Sequence, residues 1–320
     1  LRDIIFKIAG KIGVSYLLKK LKGQSITVLS LHRISEDRDF FFDPINPKTF
    51  EVFIQYCIKN YEIISFSEIN KKTDKPKLIL SFDDGYYDFI EHVIPILAKY
   101  NLPSNLNLVN SCLNNNDVIW TQKLNDIFCY LKTNGIIEDE IIDKIGSPYK
   151  HNWYLYYSFF FQALLKLKFN DRNFILNTLA EKYNIISKHR MMNWEEAKLC
   201  SEKFNVEIGC HTYNHNSLLG INNNTELELE IGESIKEMEQ KLHKKIEILA
   251  LPNGQYNEKV LNYSKKINIK YLLLVDNKAN SQKLINNRFN LISRINLVNE
   301  NIDEMILRSE LFHAKIRKNR

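Results

Sequence analysis

Long hydrophobic runs are missing from this sequence. No uninterrupted apolar stretch approaches the roughly 18–20 residues that a membrane-spanning helix needs, so none of these residues forms a conventional helical span. Cysteine is sparse and scattered: five residues, at 57, 112, 129, 200 and 210, with no CxxC pair and no regular spacing. Such an odd set argues against a disulfide framework and for reduced thiols in a reducing compartment. Cys112, Cys129 and Cys210 sit in apolar or structured contexts and are expected to be small core fillers. Alanine is scarce and asparagine abundant, a compositional bias without functional content. No internal repeat or low-complexity stretch stands out beyond Asn222–Asn224. A large excess of one charge is also lacking, with a net +6 over 320 residues and no nucleic-acid-binding motif to accompany it.

The 44% hydrophobic and 26% charged residues suit a globular chain able to bury a substantial core. Much of the positive excess lies at the ends, in Lys7, Lys11, Lys19, Lys20 and Lys22 and in Lys315, Arg317, Lys318 and Arg320. The stretch from Ile4 to Leu18 is apolar but broken by Lys7 and Lys11, which makes it a poor signal peptide. Its near-helical spacing reads either as an amphipathic helix on an anionic membrane surface or as a helix packed on its own domain.

Beyond it the pattern alternates between strand and helix. Ile26–Leu31, Tyr61–Ser65, Leu78–Phe82, Asn105–Val109, Val206–Cys210, Ile246–Leu251, Tyr271–Val275 and Leu291–Leu297 read as strands. Helices are expected from Pro47, over Tyr86–Tyr100 with a kink at Pro95, and over Trp194–Lys203. Further helices are read over Glu226–Leu242 with Thr225 as N-cap, Glu258–Lys266 and Ile302–Ile316. Alternation of this kind predicts a parallel α/β arrangement, open or closed into a barrel. It lapses between about Ser111 and Arg190, where a helical insertion rich in aromatics is expected. The run Trp153–Phe161 is expected to fill a helical core rather than line a sugar or lipid groove.

In parallel α/β folds, polar residues just past the C-terminal strand ends gather at one mouth. Four segments place reactive groups there: His32, Asp83-Asp84, His211-x-x-x-His215 and Pro252-Asn253-Gly254. One helical turn starting at His211 would bring both imidazoles to the same side. Two histidines and one carboxylate form a facial set that leaves positions open for water and substrate. Adjacent aspartates at a strand end cannot both point the same way, so one can hold an ion while its neighbour serves as a base. A divalent ion lowers the pKa of water and polarises a carbonyl, which amide or ester hydrolysis needs.

Ser81-Phe82-Asp83-Asp84-Gly85 resembles the first signature of the polysaccharide deacetylases, the NodB-homology carbohydrate esterases. His211-Thr212-Tyr213-Asn214-His215 is similar to the second, His-Ser/Thr-x-x-His, and Ala250-Leu251-Pro252-Asn253-Gly254 to the third, often Arg-x-Pro-Tyr-Gly. The similarity spans roughly residues 26–110 and 193–298. It implies a distorted (β/α) barrel that removes acetyl groups from sugars. On that reading the chain divides into an N-terminal helix (1–24), a barrel (25–110 and 191–300), a helical insertion (111–190) and a C-terminal helix with a basic tail (301–320). Carried over, Asp83 becomes the general base and Asp84, His211 and His215 the ligands of one divalent ion. Zinc leads that assignment, with cobalt, nickel or iron as alternatives. The backbone N–H of Asn253 helps to hold the oxyanion.

Two departures stand out. The third-motif arginine that orients the base is Ala250 here, and Arg294 is the candidate to replace it. The family's late Leu-x-His, which supplies the acid, is not evident. Ile26–Arg33 resembles the first strand of a permuted branch in which the acid comes from the front of the chain, and this assigns the acid to His32. The expected substrate is an N-acetylhexosamine-containing glycan or lipid-linked glycan intermediate of cell-surface polysaccharide synthesis. The expected location is cytoplasmic, with peripheral contact to the inner membrane face through the first helix. A non-catalytic carbohydrate binder with a degenerate site is the competing reading, favoured by Ala250 and by Asn253 in place of tyrosine.

Overall fold

The computed structural model describes residues 25–115, 117–221, 223–286, 288–298 and 301–311. The helix expected over 1–24 and the basic C-terminal tail lie outside the described residues.

β1 (Ser25–Leu31) leads to α1 (Pro47–Asn60), where the Asn46 side chain accepts from the Lys48 N–H and Pro47 occupies the first turn. β2 (Glu62–Ile63) is shorter than the strand expected to run to Ser65, because Glu68 captures the Ser65 N–H at 3.3 Å and turns the chain. β3 (Lys77–Phe82) follows. The expected single helix with a kink at Pro95 is instead a π-helical turn, Phe89–Val93, and then α2 (Ile94–Lys99). The wide turn ends where Ile94 bonds back to Phe89, one residue before the proline that has no N–H to offer. After β4 (Ser104–Leu108) come α3 (Asn110–Asn115), α4 (Trp120–Thr133), α5 (Glu140–Asp143), α6 (Trp153–Leu165) and α7 (Phe169–Lys182), so the aromatic stretch is helical as expected.

Alternation resumes with α8 (Trp194–Lys203), opened by an Asn193/Glu196 capping box, and β5 (Val206–Cys210). The next helix begins at Asn224 with Asn223 as its cap, not Thr225. The Asn223 carboxamide accepts the Glu226 N–H at 2.7 Å. It passes through a π turn, Glu228–Glu233, into α9 (Ser234–Leu242). β6 (Ile248–Ala250), α10 (Glu258–Lys266), β7 (Tyr271–Leu273), β8 (Asn280–Ser281), β9 (Asn290–Ile292), β10 (Ile295–Asn296) and α11 (Ile302–Ser309) complete the chain.

The main strands pair in the order β10-β1-β3-β4-β5-β6-β7-β9, every pairing parallel. The single last strand expected over Leu291–Leu297 is broken at Ser293-Arg294: its first half pairs with β7 and its second with β1. That crossing nearly closes the sheet on itself, and the fold is the distorted (β/α) barrel that the resemblance implied.

Strand periodicity sets what the barrel holds. Ile26, Val28, Ile79, Ile248, Ala250, Tyr271, Leu273 and Ile292, spaced two apart along their strands, share one buried apolar cluster. The alternate set, including Leu29, Leu31, Leu78, Leu80, Phe82, Leu106 and Leu108, joins the larger cluster with the helices. Continuing the first phase toward the C-terminal ends gives Ser30 and His32, Ser81 and Asp83, Asn105 and Asn107, Gly209 and His211, and Arg294. The barrel interior thus grades from apolar to polar to titratable along its axis.

Gly209 is part of that gradient. It sits opposite Asn107 in the register of β4 and β5, and a Cβ there would overlap the Asn107 carboxamide oxygen. Gly209→Ala is expected to cost about 1–3 kcal/mol by overpacking, read as a lower denaturant midpoint at unchanged m-value.

Candidate active site

His32, Asp83, Asp84, His211, His215 and Asn253 line one cleft of about 390 Å³ at the C-terminal mouth of the barrel. Arg294 reaches the same place from below, at the break between β9 and β10. The structure thus brings seven residues from five separate segments together.

Asp83 and Arg294 form a buried ion pair, with Nη1 2.7 Å from Oδ1 and exposures of 2% and 0%. Arg294 also donates to Ser81 Oγ at 3.2 Å and, through Nε, to the Leu274 carbonyl at 3.0 Å. Asn107 Nδ2 adds a 2.7 Å bond to Asp83 Oδ1, and Ser30 Oγ lies 3.4 Å from Oδ2. Burial works against the Asp83 charge, but Arg294 and His211 outweigh it and hold the carboxyl well below the usual range. A guanidinium thus reaches Asp83 from the break between β9 and β10, while position 250 is alanine. Ala250 keeps a part through its backbone, whose carbonyl lies 2.9 Å from His211 Nδ1.

Asp84 is one residue out of phase with the interior positions. It turns back by adopting φ +78°, a left-handed conformation costly for a residue with a Cβ. Its Oδ1 is buried without a hydrogen-bond partner and lies 3.5 Å from His211 Nε2 and 3.6 Å from His215 Nε2.

The expected helical turn at His211 is absent. Residues 211–215 form an irregular loop, with φ +66° at Thr212 and +53° at His215, and the two rings meet through that loop with centroids 4.8 Å apart. A run of helical φ/ψ cannot pass through left-handed residues, so the four-residue spacing works here by a different route.

The three donors fit a divalent ion. Ligand atoms each about 2.1 Å from a tetrahedral ion stand roughly 3.4 Å apart, close to the observed Asp84–His spacings, and all three fall within 4.8 Å of one another. The hydrogen bond partnering His211 Nδ1 with a carbonyl leaves Nε2 bare for a metal. Burial, and then the Asp83 charge, push the Asp84 carboxyl up, while burial pulls both imidazoles down. A divalent charge between them would favour ionised Asp84 and bare imidazole nitrogens alike.

Around this centre stand Phe41, Phe42, Tyr154, Tyr157 and Phe161. The expectation that the aromatic run only fills a core needs correction. Tyr156 and Phe160 are buried in the core, but Tyr154, Tyr157 and Phe161, on another face of α6, line the cleft. Tyr157 stacks on Phe41 at 4.5 Å, and Phe42 meets His32 edge-on at 5.7 Å. Burial pulls the His32 imidazole down to about 4, against the pull of Asp83.

Asn253 has φ +58° and Gly254 φ +68°, so the loop after β6 is left-handed as well. A side chain at Gly254 would strike the Val275 backbone, which confines that position to glycine. No motif announces Asn107 or Trp120 as site residues. The one sequence signal for Asn107 is the alternation of Asn105 and Asn107 with the apolar Leu106 and Leu108.

At the mouth of a parallel barrel, three donors that could hold an ion thus stand beside a separately charged aspartate. Residues 154–272 match the family described as polysaccharide deacetylase, the family that the motifs resemble. The matched stretch includes the His211 and Asn253 segments and stops short of Asp83-Asp84. Among solved structures, the Streptococcus pyogenes deacetylase PplD, in complex with acetate, is similar at TM-score 0.58 and 16% identity, over 89% of this chain and 98% of that one. IcaB from Ammonifex degensii gives 0.55 and 12%, over 90% and 98%. A de-N-acetylase from Aggregatibacter actinomycetemcomitans gives 0.53 and 18%, over 86% and 95%. At these identities the likeness establishes the fold. No curated protein matches the chain. Among the described residues, no helix is long and apolar enough to cross a membrane.

Proposed function

We propose that this protein is a metal-dependent carbohydrate deacetylase, hydrolysing the linear amide of an N-acetylhexosamine in a glycan or lipid-linked glycan intermediate. The observation that carries this reading is the Asp83–Arg294 pair set beside the Asp84, His211 and His215 donors in one aromatic-walled cleft. Asp84, His211 and His215 would hold the ion, zinc by preference for this N/O set, with cobalt, nickel or iron also compatible. When bound it supplies Lewis acidity toward the acetyl carbonyl.

Asp83, kept ionised by Arg294, accepts a proton from the attacking water. The Asn253 N–H donates to the oxyanion that develops on the carbonyl. His32 is neutral in the resting site, so the proton that it hands to the departing amine is the one that Asp83 has taken up. The two groups act as a pair with one proton between them. The aromatic wall offers flat apolar faces of the kind that sugar rings stack against. The Asp83–Arg294 pair supports turnover over a binder without it, since the base has a cation beside it.

A screen of N-acetylated sugars, free and lipid-linked, is expected to show acetate release that chelation abolishes and added divalent metal restores. Sugar binding without acetate release by fully metal-loaded protein would favour the non-catalytic binder.

A further inference from the structure

We propose that Arg172 and Glu230 are positioning residues for His215, a buried pair of opposite charges clamped on the loop that carries it. The inference rests on the reading of Asp84, His211 and His215 as metal ligands.

Arg172 belongs to α7, remote in sequence from every strand-end motif, and is 0% exposed. Its Nη2 donates to the Asn214 carbonyl at 3.3 Å and to Asn216 Oδ1 at 2.7 Å, the residues on either side of His215. Its Nε and Nη1 have no hydrogen-bond partner among the described residues. The guanidinium lies 4.5 Å from the Trp120 ring. The Trp120 Nε1–H in turn lies 3.0 Å from His215 Nδ1 and 3.2 Å from the His215 carbonyl. An indole only donates, so for a ring that keeps Nε2 bare for an ion, and therefore carries its hydrogen on Nδ1, the acceptor is the His215 carbonyl.

Glu230, 2% exposed, holds the same residues with its carboxylate. Its Oε2 accepts the Asn214 N–H at 3.0 Å, and its Oε1 accepts from Asn214 Nδ2 at 2.9 Å and Asn216 Nδ2 at 2.7 Å. Its backbone carbonyl takes the Tyr213 N–H at 2.9 Å. Asn214 and Asn216 thus bridge a buried cation and a buried anion that make no direct ion pair.

The loop needs such a clamp. With Thr212 and His215 left-handed, no helical ladder fixes where the His215 ring points. Outer partners of metal ligands typically change metal affinity by about 10–100-fold when removed. Removing one of two compensating buried charges also leaves the other exposed to its full desolvation cost. The helices between β4 and α8 would therefore complete the metal site rather than merely roof it.

The test uses Co²⁺ titration of the full chain, its visible absorption as a report on ligand geometry, and circular dichroism as the check on folding. Arg172→Met and the gentler Asn216→Ala are expected to weaken Co²⁺ binding by about 10–100-fold and to shift the absorption band. Arg172→Lys should recover part of both, and KM should stay within about twofold of the wild-type value. If Arg172→Met does not fold, Asn216→Ala decides. A folded Asn216→Ala protein with wild-type Co²⁺ affinity and spectrum would overturn the positioning role. A wild-type protein that binds no Co²⁺ would overturn the metal reading, and this inference with it.

Discussion

Asp83→Asn is expected to lower acetate release by about 10²–10⁴-fold, the range lost with a general base, while the protein still binds its divalent ion. Asparagine keeps the shape of the side chain but cannot take a proton from water. The ion should stay because Asp83 is not among the three clustered donors. The same change strips Arg294 of its counter-charge inside the barrel, where exposure is 0%. Breaking a buried pair from one side typically costs about 3–5 kcal/mol, so a lower unfolding midpoint should accompany the lost rate. Arg294→Met breaks the pair from the other side and should also lose activity, because burial then raises the Asp83 pKa unopposed. The two variants separate in one respect: Arg294→Met retains a titratable base, so its residual rate should rise with pH, whereas that of Asp83→Asn should not. Wild-type turnover by Asp83→Asn would remove Asp83 from the mechanism.

Much of this arrangement was legible in the sequence, and the reasons are local. Trp194–Lys203, Val206–Cys210 and Glu258–Lys266 have the bounds expected, because caps and side-chain periodicity lie within a few residues of the elements that they define. The strand-end motifs converge because a parallel barrel leaves no other place for them. Arg294 was legible only through the resemblance, whose third-motif arginine is Ala250 here and so points to the arginine of the last strand. Its distance to Asp83 was not, since it depends on the sheet closing between β10 and β1.

The misreadings share a cause, local pattern overruled by a distant partner. His211 and His215 have helical spacing, yet Glu230 and Arg172 capture the residues around His215 and the loop goes left-handed. Thr225 with Glu228 has the form of a capping box, but Asn223 competes within the same polar run and takes the cap. The aromatic run on α6 divides between core and cleft according to what faces it, and no periodicity in Trp153–Phe161 announces the division. Trp120 and His215 are in contact across 95 residues, a separation at which sequence pattern carries no signal.

Asp84→Ala and His211→Ala should differ from Asp83→Asn in kind, losing both the ion and the rate. An ion that polarises a carbonyl contributes several kcal/mol to the transition state, and each 1.36 kcal/mol is tenfold, so a loss of about 10³-fold or more is expected. Elemental analysis after dialysis should find these variants depleted of divalent metal while the wild type and Asp83→Asn retain it. Folding is a lesser concern at Asp84, because its Oδ1 makes no hydrogen bond that the substitution would break. Alanine at that position would still have to accept φ +78°, so Asp84→Gly is the companion variant that keeps the turn without strain. An Asp84→Gly protein as stable as the wild type or more so, yet without metal and without turnover, would show that the left-handed turn is maintained for the carboxylate. Normal metal content in Asp84→Gly would instead remove Asp84 from the ligand set. The adjacent aspartates would then have to be reassigned, because their opposite placements, one paired with Arg294 and one facing the Nε2 atoms of two imidazoles, are what give them different chemistry.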